Sequence, residues 1–122
     1  MILVDTSVWV DYLRNGDPLL AEKLLAGEVA THSFVIGELA LGGLRKRSGV
    51  LDLLRALPRL SAATDDEVLY FIGQRGLSGK GIGYVDAHLL AAVAMHGASL
   101  WTRDKRLRDI AEEHSWAFTP NH

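Results

Sequence analysis

Three acidic residues stand alone inside apolar stretches, and this restricts the possible folds more than any other feature of the chain. Asp5 is the only charged residue of MILVDTSVWV, and Glu38 is the only one of FVIGELALGGL. Asp86 is the only Asp, Glu, Lys or Arg between Gly81 and Thr102. Burying an unpaired carboxylate costs several kcal/mol, roughly, even after relaxation, so apolar segments ordinarily exclude them. The buried segments must therefore run out at a shared polar spot. Asp104 follows a fourth apolar run and brings the set to four. Carboxylates gathered around a cation satisfy this constraint.

Turn and cap signals divide the chain into alternating strands and helices. Ile2–Val4 reads as a short buried strand, with Thr6 or Ser7 as the cap of a helix running to about Arg14. Asp17–Pro18 is a cap followed by proline at the first helical position, and that helix is stopped by Gly27. A strand over Glu28–Thr31 leads into a helix from Ser33 to about Leu44, and a further helix covers Val50–Leu57. Leu60–Ala63 reads as a strand, and Thr64 with Glu67 as a capping box for a helix to about Gly76. After the glycine-rich stretch 77–83 come a helix at Tyr84–His96, a strand at Ala98–Thr102, a helix from Asp104 to about His114 and a strand at Trp116–Thr119. This alternation predicts an α/β domain spanning 1–122: a three-layer sandwich with a central parallel sheet of about five short strands and helices on both faces. Ligands in such sheets bind beyond the carboxyl ends of the strands, where strand order reverses. Asp5 and Asp104 both follow an apolar strand.

Composition removes several alternatives. Hydrophobic residues make up 48% of the chain, which marks a globular protein. There is no cysteine, which excludes disulfides and thiolate metal sites and points to a reducing, cytoplasmic setting. MILVDTS lacks a basic n-region and does not read as a signal peptide. No apolar run is long enough for a membrane span; the nearest, 87–101, contains two histidines and a glycine. The net charge is -2, yet the cations cluster at Arg45–Lys46–Arg47 and at Arg103, Lys105, Arg106 and Arg108. Such clusters are either phosphate contacts or solvated helix faces.

Each acid has an ordinary explanation taken singly. Asp86 and Asp104 lie where a carboxylate satisfies free N–H groups and the helix dipole, and Asp5 sits where a cap is needed. Glu38 lies mid-helix among Val35, Leu39 and Leu41 and has no such explanation. Chemistry that uses four acids together is phosphodiester hydrolysis with Mg²⁺ or Mn²⁺, ions that prefer hard oxygen ligands. In two-metal sites, ions about 3.5–4 Å apart flank the phosphorus. Without a cation, four neighbouring carboxylates cannot all stay ionised, so at least one pKa should rise.

Four segments, MILVDTSVWVDYL, SFVIGELALGGL, IGYVDAHLLAAVA and SLWTRDKRL, give a specific resemblance when taken in order. The chain is similar to PIN-domain nucleases, and most closely to the VapC-type toxins of bacterial toxin–antitoxin pairs. The resemblance covers nearly the whole length. It implies an Mg²⁺- or Mn²⁺-dependent endoribonuclease whose metal centre is Asp5, Glu38, Asp86 and Asp104. It also implies Thr102, in the T-x-D pattern, as a hydroxyl residue beside the fourth acid. Thr6 matches a small hydroxyl residue that follows the first Asp, or else caps a helix. The implied partners are an RNA substrate, an antitoxin covering the acidic pocket, a second copy of the chain, and promoter DNA reached only through the antitoxin. The antitoxin groove is expected among the helices at 6–14, 17–26 and 33–44, with Trp9, Tyr12 and Leu13 either lining it or packing in the core. Arg45, Lys46, Lys80, Arg103 and Arg106 are the expected phosphate contacts. The alternative within the same fold is an RNA-processing nuclease with no antitoxin.

Other features carry less. His32, His88, His96, His114 and His122 are expected in structural or surface roles; His88 stands two residues from Asp86, and residues two apart on a helix do not face each other. SGKGIG lacks the G-x-x-x-x-G-K-[ST] order of a phosphate-binding loop. Trp101 and Trp116 are expected to pack at the sheet. An aspartyl-phosphate phosphatase needs D-x-D after the first strand, whereas this chain has Asp5-Thr6-Ser7, and a phospho-acceptor domain fits no better.

Overall fold

Three consecutive buried apolar residues, Ile2–Val4, form the central strand β1 of the computed structural model, which describes residues 1–120. β1 pairs in parallel with β2 (Val29–Ala30) on one side and with β3 (Ser99–Trp101) on the other. The strand order is β2-β1-β3, with Leu3 opposite Ala30 and Leu100. Parallel strands are covered on both faces and so read as unbroken apolar runs, as ILV does here.

Among the described residues the sheet has three strands, not the expected five or so. The segments around Arg59 and Ala117 do line up in parallel at the two edges, but each makes only one bridge, Thr31 to Arg59 and Leu100 to Ala117. Prolines limit both. Pro58 accepts from the Thr31 N–H at 2.8 Å but has no N–H to give. Pro120 stops the ladder just after Phe118 donates to Leu100 at 2.8 Å.

Seven helices among the described residues follow the expected order: α1 (Thr6–Asn15), α2 (Pro18–Leu25), α3 (Ser33–Leu41), α4 (Arg47–Ala56), α5 (Asp65–Gln74), α6 (Tyr84–His96) and α7 (Lys105–Glu113). α1 is capped by Asp5, not by Thr6 or Ser7. α4 begins three residues earlier than its apolar pattern indicates, after Lys46 turns into the left-handed region at φ 52°. Asp17 caps α2, and Thr64 and Glu67 form the expected reciprocal box on α5. α6 is buried continuously from Ala87 to Val93, as a helix enclosed on all sides must be. Trp9, Leu89, Leu90 and Leu100 fill the core beneath it. Trp9 is thus core, while Tyr12 and Leu13 are half-buried at its margin. Trp101 packs against Phe118 and Trp116 stacks on His114. No helix of the described residues is long and apolar enough to cross a membrane. His122 lies outside the described residues.

Candidate active site

Strand order reverses at β1, and the residues just beyond the carboxyl ends of β1 and β3 meet there. The Asp5 N–H donates to the Trp101 carbonyl at 2.9 Å, tying the two strand exits together. The Asp5 side chain is 7% exposed and accepts three hydrogen bonds. Oδ1 takes the Thr6 N–H at 2.8 Å, while Oδ2 takes the Ser7 hydroxyl at 3.1 Å and the Thr102 hydroxyl at 2.7 Å. Thr102 in turn accepts the Asp104 N–H at 3.1 Å. One hydroxyl therefore links the first acid to the segment bearing the fourth.

The other three acids are each held through one oxygen. Glu38 projects from α3, and its Oε1 accepts the Thr6 hydroxyl at 2.7 Å. Asp86 Oδ2 accepts the Gly83 N–H at 3.2 Å, and Asp104 Oδ1 caps α7 by accepting the Leu107 N–H at 3.0 Å. Their second oxygens accept no hydrogen bond among the described residues. The helix-start explanations of Asp86 and Asp104 are therefore correct, and each leaves an oxygen to spare.

Burial raises the Asp86 pKa above the ordinary aspartate value, and the charges of Asp5, Asp104 and Glu38 raise it further against the opposing pull of the Gly83 N–H. The fold has thus brought the charges of Asp5, Glu38 and Asp104, from distant parts of the chain, within reach of Asp86. None of them takes part in an ion pair among the described residues. No three His, Asp or Glu side chains among the described residues form a preset cation cage. An anionic, all-oxygen donor set without a resident lysine or arginine fits a hard divalent cation.

The basic residues are not equivalent. Arg103 is committed internally, with Nε 2.6 Å from Asp11 Oδ2 and Nη2 2.7 Å from Asp17 Oδ2. These pairs pin the β3 exit to α1 and to the α2 cap, and they compete with the phosphate contact expected of Arg103. Arg45 and Lys46 line a cleft of about 740 Å³ between α1, α3 and α4, floored by Val10, Leu13 and Leu39 and reaching Glu38. No α2 residue lines that cleft, contrary to the expected groove. Lys80 lies on the 77–83 loop and Arg106 on α7.

Sequence reading missed Ser7. Besides holding Asp5, its Oγ accepts the Arg103 N–H at 3.1 Å and lies 3.5 Å from the Thr102 hydroxyl. The only signal was a hydroxyl two residues after the first acid, which reads equally well as a cap. Two of the histidines, His32 and His88, are buried. His88 is buried against Phe34 and Tyr84, and His32 caps α3 through Nδ1, which accepts the Phe34 N–H at 3.0 Å.

A three-stranded parallel sheet wrapped by helices, with four acids at its switch point, defines a class, and the chain belongs to the PIN domain family, whose model matches residues 2–113. Within that family it resembles two proteins of Mycobacterium tuberculosis, from strains CDC 1551 / Oshkosh and ATCC 25618 / H37Rv, both named ribonuclease VapC32. Each is 53% identical over 114 residues, covering 93% of this chain and 92% of the relative. Solved structures share the fold at lower identity. PAE2754 from Pyrobaculum aerophilum superposes with a TM-score of 0.66 at 20% identity, covering 96% of this chain and 87% of that one. FitAcB from Neisseria gonorrhoeae superposes with a TM-score of 0.59 at 22% identity, covering 92% and 94%.

Proposed function

We propose that this chain is an Mg²⁺- or Mn²⁺-dependent endoribonuclease that acts as the toxin of a toxin–antitoxin pair in the cytoplasm, cutting RNA and so inhibiting translation. The observation that carries the reading is that the charges of Asp5, Glu38 and Asp104 all reach Asp86, while none of the four acids is ion-paired among the described residues. The 53% identity to proteins named ribonuclease VapC32 supports the same activity and the VapC-type role.

Asp5, Glu38, Asp86 and Asp104 would hold the metal. A bound divalent ion supplies Lewis acidity toward the phosphodiester and lowers the pKa of water to a usable range. The rest is the work of the chain. Thr102 and Ser7 fix the Asp5 carboxylate from two sides, and Thr6 fixes Glu38, so the acids are oriented before RNA arrives. Asp86, raised first by burial and then by the charges of Asp5, Asp104 and Glu38, would be favoured in its ionised form by a divalent ion held there. The cleft between α1, α3 and α4 leads to Glu38 and suits the antitoxin segment that covers the acids, while promoter DNA is engaged through the antitoxin alone. The chain functions as a homodimer.

Purified protein incubated with total cellular RNA and Mg²⁺ should produce discrete new 5′ ends that sequencing can map. Asp5→Asn, Glu38→Gln, Asp86→Asn and Asp104→Asn should each abolish those ends while keeping the far-UV circular dichroism. Unchanged cutting by the Asp5 or Asp86 variant rejects the reading. Growth arrest on induction, absent for Asp5→Asn, separates a toxin from a processing nuclease.

A further inference from the structure

Arg106 is a cation of α7 with no ion pair among the described residues. Lys105 Nζ lies 2.9 Å from Asp109 Oδ2, and Arg108 Nε lies 3.9 Å from Glu112 Oε1, each pair one helical turn apart. One turn beyond Arg106 stands the buried Ile110. A solvated arginine on a helix surface is ordinary, but this one is seated. Its side chain lies across Gly81, where an added Cβ would be 2.7 Å from Nη1 and 3.1 Å from Cδ. Gly81 also has φ +81°, a conformation that L side chains rarely adopt. The backbone thus leaves a notch that an arginine fills without an ion pair to hold it there.

The notch ties together two segments that carry acids. Arg106 is two residues beyond Asp104 in the chain, and Gly81 is two residues before Gly83, whose N–H holds Asp86. The contact therefore joins the two segments that carry those carboxylates. Lys80, exposed and next to Gly81, adds a second positive charge.

We propose that Arg106, seated on Gly81, binds a backbone phosphate of the RNA adjacent to the bond being cut and so positions the strand over the acids. This inference rests on the nuclease reading and adds to it the residue that holds the substrate in place. A guanidinium offers a planar fork of donors that matches two phosphate oxygens. Because Gly81 already restrains the side chain, less freedom is lost on binding. A cluster of carboxylates repels a phosphodiester, so a neighbouring cation with unused charge answers a need of the site.

The test uses an RNA oligonucleotide carrying the mapped cleavage site. Arg106→Gln should raise KM about tenfold, the scale of one charge-assisted contact, with kcat changed by less than about twofold. The dependence of log KM on log salt should become shallower by about 0.7, the share of one phosphate contact on a single strand. Arg106→Lys should restore the salt dependence but only part of the KM, since it keeps the charge and loses the fork. Gly81→Ala should also raise KM, because its Cβ evicts the guanidinium. Arg106 is exposed, so its variants should melt with the wild type. Unchanged KM and salt dependence in Arg106→Gln overturn the proposal, as does a fall in kcat at constant KM. A wild-type chain that cuts no RNA overturns the nuclease reading together with this one; a cutting enzyme indifferent to Arg106 overturns only this one.

Discussion

Replacing Thr102 by valine tests whether the site is built before any ligand arrives. Valine keeps the shape of threonine and removes only the hydroxyl, which at 5% exposure has little access to water. That hydroxyl donates to the charged Asp5 Oδ2 at 2.7 Å and accepts the Asp104 N–H at 3.1 Å. Losing a hydrogen bond to a charged group costs about 1.5–3 kcal/mol, and an N–H left partly unpaired adds up to about 1 kcal/mol. The sum is about 2–4 kcal/mol. For a domain of this length the melting entropy is about 0.26 kcal/mol/K, so the melting temperature should fall by about 8–15 °C. The assay is thermal unfolding followed by circular dichroism at neutral pH in the presence of a chelator. Thr102→Ser retains the hydroxyl and should recover most of the loss. Should Thr102→Val melt within about 2 °C of wild type, or serine fare no better than valine, the claim that this hydroxyl organises the site is wrong.

Asp86→Asn should raise the melting temperature of the metal-free protein at neutral pH while abolishing RNA cutting. The folded-state pKa of Asp86 lies above 3.8, so the folded chain holds more protons just above that value and wild-type stability declines as pH rises through the window. The gap between variant and wild type should therefore open with rising pH, and a variant that melts lower at pH 7 would contradict this. Mg²⁺ should stabilise wild type and close much of the gap, because it binds the folded chain alone. His32 acts in the opposite direction. Burial, reinforced by His88, Arg59 and His96, lowers its pKa from 6.5 to about 4. The unfolded chain binds the extra proton across that window, so stability should drop as pH falls from 6.5 toward 4, by roughly 3 kcal/mol at most. Urea midpoints across that range should lose this slope in His32→Asn, whose amide oxygen can still cap Phe34. An unaltered slope would assign the acid sensitivity elsewhere.

Local signals were legible where a few neighbouring residues decide the outcome. The Asp17–Pro18 start, the Thr64–Glu67 box, the Asp104 cap and the ILV strand all formed as the sequence indicated. Asp5, Glu38 and Asp86 stood out because isolated charges in apolar runs demand a shared explanation, and Asp104 stood out only as an acid just after an apolar strand. Strand number was not, since 60–63 and 116–119 have strand-like composition, yet 60–63 makes no bridge, the one at that edge falling on Arg59 beside Pro58, and 116–119 makes one, at Ala117 ahead of Pro120. The α1 cap stayed open in the sequence because Asp5, Thr6 and Ser7 are all capable caps, and only contacts with Glu38 and Thr102 divide their roles. Those contacts span 32 and 97 residues, beyond any local pattern. The fate of Arg103 was hidden for the same reason, as its partners Asp11 and Asp17 come from the opposite end of the chain.

The single-bridge margins of the sheet have a consequence for assembly. A strand from another molecule can join a sheet only along a row of several free amides and carbonyls. Among the described residues each rim makes a single bridge beside a proline, Arg59 next to Pro58 and Ala117 ahead of Pro120. Rims this short are poor templates for a growing ribbon, since an added strand would find few aligned amides along them.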